Sequence, residues 1–298
     1  MALRQARAAG GRCGTRVKST EGDLYGIPVL WLESAACRAA LSLHGGQLLS
    51  FAPRGFEDLL WVSPSTRRPP NAVRGGVPVC WPYFGREGQP ADVPQHGFAR
   101  TSTWRLDDLR EEGGAMVVEL SLPSLAITPL RLSQTLRMDD QLHQSLVTYN
   151  TGDQPRRLTQ ALHSYFRVAD AMQARLRGVA GRDYADRHDG AQHRQHGDWD
   201  LNDPRDPGRS DRTYAPAGGD YWLEDPAGHR CLHIQSTGSA SVVVWNPGAS
   251  GVAALGDVAL EDWRGFVCVE VANAGSDVID LAPGGRHLLA QRVRVTAS

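Results

Sequence analysis

The chain has 298 residues, 41% hydrophobic and 22% charged, and its 32 basic and 33 acidic side chains leave a net charge of −1. This is the composition of a globular protein and not of a disordered tail, and the charge balance argues against a nucleic-acid binder relying on a broad basic field. The five cysteines (Cys13, Cys37, Cys80, Cys231, Cys268) are odd in number, widely spaced and without a CxxC pair, which argues against a disulfide framework and a thiolate zinc site.

Reduced thiols predict a cytoplasmic protein, and no apolar run approaches the roughly 18–20 residues of a spanning helix. Glycine and proline number 32 and 18, above their usual share of about 12%, so many turns and many short strands are expected.

The N-terminus carries five basic and no acidic side chains in its first twenty residues. It lacks the apolar core of a secretory signal. Residues 1–22 are expected to be a flexible basic tail, and residues 23–298 a single domain.

Beyond Asp23 the chain alternates with period two. Ala115–Leu122 reads as a strand. Leu130–Met138 places Leu130, Leu132, Leu136 and Met138 on one face, and Leu158–Val168 does the same with Leu158, Leu162, Phe166 and Val168. Ser241–Trp245, Phe266–Val271 and Leu288–Val295 follow the same rule. Such alternation marks strands with one face in a core, so the predicted class is all-β, a large antiparallel sandwich. Gly181–Gly219 is polar and irregular and is expected to be one long loop.

Chemistry-bearing residues concentrate in a few segments. Asn71–Trp104 holds Arg74 before Gly75 and Gly76, then Gln95, His96 and Arg100 beside Phe98 and Trp104. The glycines permit a tight turn or close approach to a ligand. Arginine, imidazole and aromatic surface suit a polar ligand with an anionic group. A structural loop whose His and Arg satisfy buried carbonyls is the competing reading.

His163 shares its strand face with Thr159, Ala161, Tyr165 and Arg167, opposite the apolar face. Glu270 shares a side with Phe266 and Cys268 in an apolar strand, where a carboxylate is costly unless paired. It is either a tuned acid or base or half of a structural ion pair. Asp211, near Tyr214, is either a turn former or a hydroxyl acceptor. His188, His193 and His196 cluster with Asp189 and Asp198, but the spacing fits no zinc pattern, so no metal is expected.

The ordered segments RGGVPVCWPYFG, PQHGFARTSTW, ALHSYF, SDRTY, VVWNP, FVCVE and LAPGGRHLLAQRV resemble the aldose 1-epimerase superfamily, and within it the glucose-6-phosphate 1-epimerase branch. The resemblance runs from about Leu41 to Val295. It implies a galactose-mutarotase-like sandwich with a sugar site on its concave face, and a reaction needing no cofactor. By the same resemblance, His163 matches the general acid at the ring oxygen and Glu270 the general base at the anomeric hydroxyl. Arg74, Gln95, Arg100 and Asp211 match substrate-binding positions, and His96 a histidine that hydrogen-bonds the sugar.

Three departures stand out. The branch often carries a lysine where this chain has Asn71, Gly248 replaces an aromatic residue after WNP, and Leu255–Gly256–Asp257 replaces a methionine-containing stretch. The implied partner is a small sugar phosphate, with no nucleic acid or membrane, acting as a monomer or weak homodimer. A mutarotase for free aldoses and a non-catalytic sugar binder on the same fold are the alternatives.

Overall fold

Alternating residues require a sheet with one face in a core, and the computed structural model, which describes residues 17–86, 88–203 and 208–298, contains such sheets. Leu130–Met138 is a strand whose residues alternate between buried and half-buried along its whole length. Among the described residues, the strands form two eight-stranded sheets, one four-stranded sheet and one two-stranded sheet, with every strand pair antiparallel. The main core lies between the two large sheets. Leu132, Leu136, Leu146 and Leu289 of one sheet share a cluster with Leu162, Phe166, Val244 and Val269 of the other. The helical content is slight: one α-helix, Gly248–Val252, and two short 3-10 turns among the described residues.

The sheet that carries the candidate site is built around Phe266–Asn273, which is buried along its whole length. It pairs with Ser241–Asn246 on one side and with Gln160–Leu162 and Tyr165–Arg167 on the other. Directly opposed residues of antiparallel strands share a face. Register therefore aligns Tyr165, Cys268, Trp245 and Asp211 across four strands on one face, with Glu270 and Val243 in the adjacent row. The other face feeds the main core.

Three expectations need correction. The expected tail spans residues 1–22; residues 1–16 lie outside the described residues, and Lys18–Leu24 is a strand paired in register with Ile27–Glu33. Its residues are nearly all exposed, so no apolar alternation announces it. Gly181–Gly219 is not one loop, since Asp183–Asp186, Gln192–Arg194 and Ser210–Tyr214 extend the site sheet to its edge. Finally, Leu158–Val168 is broken into three short strands, with His163 and Ser164 in a gap between two of them.

Candidate active site

The RGG segment is shaped by its glycines. Gly75 and Gly76 have φ of +116° and +61°. A side chain on Gly75 would meet the Trp61 carbonyl and the Val62 Cα at 2.4 Å. This close passage delivers Arg74 to the site. Its Nε donates to Asp257 Oδ1 at 3.1 Å and its Nη1 to the Tyr165 hydroxyl at 3.0 Å.

His163 sits in the gap between strands. Its N–H donates to the Pro78 carbonyl at 3.0 Å, and the Ser164 N–H closes a tight turn onto Leu162. The imidazole stacks on Tyr165 with ring centroids 5.0 Å apart and meets Trp245 edge-on. Its Nε2 lies 3.4 Å from Glu270 Oε1. Glu270 is 1% exposed and His163 8%. His163 Nδ1, Glu270 Oε2 and Arg100 Nε are all buried without a hydrogen-bond partner. Orphaned buried polar atoms are rare in folded proteins, and two of these residues, His163 and Arg100, line one cavity, with Glu270 beside His163.

The electrostatics follow from burial. Desolvation, helped by Arg100 and Arg74, pushes the His163 imidazole down to about 3. Burial raises the Glu270 carboxyl well above the usual range, and Asp211 raises it further while Arg187 and Arg100 pull it back. His96 is likewise held well below the usual imidazole value, by burial first and then by Arg100. Its Nδ1 accepts from the Gly85 N–H at 3.2 Å, which leaves the proton on Nε2, and its ring stands 5.8 Å from that of His163.

Beside these groups lies a cavity of about 200 Å³ lined by Arg67, Arg74, Arg100, His163, Tyr165 and Asp257. Asn71 also lines it. Glu270 does not line it and adjoins it through His163. A larger hollow of about 400 Å³ near Met172 and Glu224 contains none of these groups.

The structure thus gathers His163, Glu270, Arg74, His96 and Arg100. Asp211 stands on the same sheet face, with Oδ1 3.9 Å from Arg187 Nε. Gln95 is exposed, and its backbone carbonyl accepts from Arg100 Nη2 at 2.8 Å.

Sequence reasoning missed Arg187, because it follows the short strand Asp183–Asp186, one strand in from the sheet edge, in a segment that reads as loop. It also passed over Asp257 as the counter-ion of Arg74, because the two are far apart in sequence and nothing local joins them. Among the described residues no three His, Cys, Asp or Glu side chains gather to hold a metal. His193 instead pairs with Asp189 at 2.7 Å. No helix among them is long and apolar enough to cross a membrane.

The family model described as aldose 1-epimerase matches residues 28–294. The chain belongs to the aldose 1-epimerase family. It is accordingly an isomerase. A relative from Escherichia coli (strain K12), provisionally named glucose-6-phosphate 1-epimerase, is 32% identical over 284 residues, covering 90% of each chain. A crystal structure from Salmonella typhimurium, provisionally named a mutarotase, superposes with a TM-score of 0.84 at 27% identity and 94% coverage of both chains. A galactose mutarotase-like protein from Clostridium acetobutylicum shares the fold, with a TM-score of 0.71 at 12% identity, covering 95% of this chain and 99% of its own.

Proposed function

We propose that this member of the family interconverts the α and β anomers of a hexose 6-phosphate, with glucose 6-phosphate the leading candidate, and that His163 and Glu270 move the protons. The observation that carries the reading is the buried His163–Glu270 pair at 3.4 Å, with an unpartnered atom on each side chain, next to a cavity holding three arginines.

Mutarotation opens a cyclic hemiacetal. The O1 hydroxyl loses a proton while the ring oxygen gains one, the aldehyde turns about C1–C2, and the ring recloses on the other face. In opening, the Glu270 carboxylate takes the O1 proton and the His163 imidazolium gives one to the ring oxygen. In closing, protonated Glu270 returns its proton to O1 and neutral His163 takes the hydroxyl proton. Both states of the pair carry one proton and differ only in where it sits. Burial favours the neutral arrangement, which is the form used for closing. Acid–base catalysis of this type contributes about 10²–10⁴-fold, with orientation adding to it.

The phosphate reading rests on Arg67, Arg74 and Arg100, since guanidinium groups hold phosphate oxygens in a fork. Arg67 brings a positive charge to the wall where Asn71 brings none. His96, Asp211 and Gln95 would contact sugar hydroxyls.

A second reading, a mutarotase for free aldoses, is favoured by Arg74 being matched already by Asp257. Exchange NMR at neutral pH with glucose 6-phosphate, glucose and galactose separates the two. Fast anomer exchange of the phosphate sugar alone is expected. Exchange of free sugars alone would sink the phosphate reading and keep the acid–base pair.

A further inference from the structure

Core-facing positions of the large sheet opposite the site should be apolar, yet three carry glutamine. Gln134 interrupts the series Leu130, Leu132, Leu136, Met138, Gln144 stands between Leu142 and Leu146, and Gln291 between Leu289 and Val293. All three are at most 1% exposed. An unsatisfied amide in such a place is costly, so where their hydrogen bonds go is informative.

They form one chain. The Ser164 hydroxyl donates to Gln291 Oε1 at 2.9 Å, Gln291 Nε2 to Gln144 Oε1 at 3.0 Å, Gln144 Nε2 to Gln134 Oε1 at 2.8 Å, and Gln134 Nε2 to the Gly46 carbonyl at 2.6 Å. The final carbonyl can only accept, which sets the sense of every amide and leaves the Ser164 hydroxyl as the first donor.

The two ends are not arbitrary. Ser164 closes the turn whose central residue is His163. At the other end, the turn Gly45–Gly46 docks on the segment that carries Arg100. The Gly45 N–H donates to the Ser102 carbonyl at 2.8 Å, and a Cβ on Gly45 would meet the Arg100 carbonyl at 3.0 Å. The chain therefore crosses the sandwich core between the backbone that presents His163 and the backbone that seats Arg100.

We infer that Ser164, Gln291, Gln144 and Gln134 are positioning residues: a one-directional hydrogen-bond chain that sets the His163 turn against the Arg100 segment. An apolar core would fill the same volume, but it would leave the His163 turn without a directional anchor. Satisfied buried networks rigidify what they connect. A misplacement of about 1 Å at a reacting group can cost on the order of 100-fold in rate.

The inference rests on the reading of His163 as a proton-transfer group. The test is Gln144→Met, a change of similar volume far from any sugar. kcat for glucose 6-phosphate anomer exchange should fall roughly tenfold or more with KM within about twofold, and the His163 ring NMR signal should shift or broaden. A lower melting temperature with kcat and the His163 signal unchanged would overturn it.

If Gln144→Met does not fold, Ser164→Ala and Ser164→Thr decide. Loss of kcat in the alanine variant, restored by threonine, supports the chain, whereas wild-type kcat in both refutes it. His163→Asn separates the two claims. If His163→Asn is inactive and Gln144→Met is normal, only the positioning role fails. If His163→Asn is active, the underlying acid–base reading fails.

Discussion

Glu270, on the strand Phe266–Asn273, and His163, in the gap between the two short strands paired with it, approach to 3.4 Å between Oε1 and Nε2, in a space nearly closed to solvent. Neither group gains much from the other in this dry setting, because burial disfavours the charged form of each. The arrangement is costly to folding, and that cost has measurable consequences.

Glu270→Gln should abolish most activity and yet stabilise the protein near neutral pH. The folded carboxyl pKa lies above its unfolded value, so the cost is present at pH above the unfolded value and vanishes as pH falls below it. Each pKa unit is worth about 1.4 kcal/mol, or a melting temperature higher by roughly 3–6 °C for a chain of this size. Thermal melts at pH 7.5 and pH 4 check this. Equal melting of the two proteins at pH 7.5 would contradict it.

The His163 ring should stay neutral in the free protein from pH 8 down to pH 5. Its pKa is pushed down to about 3, far below the ordinary value near 6.5. A ¹⁵N-detected titration of the ring checks this. A midpoint between pH 6 and 7 would mean that the pair is hydrated, contrary to the geometry.

Arg67→Ala should raise KM for glucose 6-phosphate roughly 10- to 100-fold, the usual effect of losing a charge-assisted hydrogen bond. Any exchange of unphosphorylated glucose should be unaffected. Steady-state kinetics on both sugars decide it, and an unchanged KM would remove Arg67 from the phosphate site.

Gly75→Ala should cost roughly 2–4 kcal/mol of stability. Its φ of +116° and the 2.4 Å approach to Trp61 and Val62 leave no room for a methyl group. Gly197→Ala, with nothing within 4 Å, should be nearly silent. Urea unfolding of the two variants makes the comparison.

Much of this was legible in the sequence, for a physical reason. Leu130–Met138 buries one face and shows the other to solvent, so its period of two is visible. The motifs around Arg74, His163 and Glu270 were legible too, since glycines, an imidazole and a carboxylate in apolar surroundings break local rules.

What stayed hidden has no local signature. The hairpin Asp183–Arg194 ends the site sheet, and its many polar residues look like a loop. Arg187 was hidden with it. The Arg74–Asp257 pair joins residues 183 positions apart. The Gln95 backbone carbonyl accepts from Arg100 Nη2, a contact that no residue type or spacing announces.

The most direct test is the rate of α/β exchange of glucose 6-phosphate by His163→Asn, measured by two-dimensional exchange NMR beside the wild-type protein. Wild-type protein should produce strong exchange cross-peaks, and His163→Asn should slow exchange by about 10²–10⁴-fold while its melting curve remains cooperative. Wild-type exchange by a folded His163→Asn protein would contradict the account at its centre.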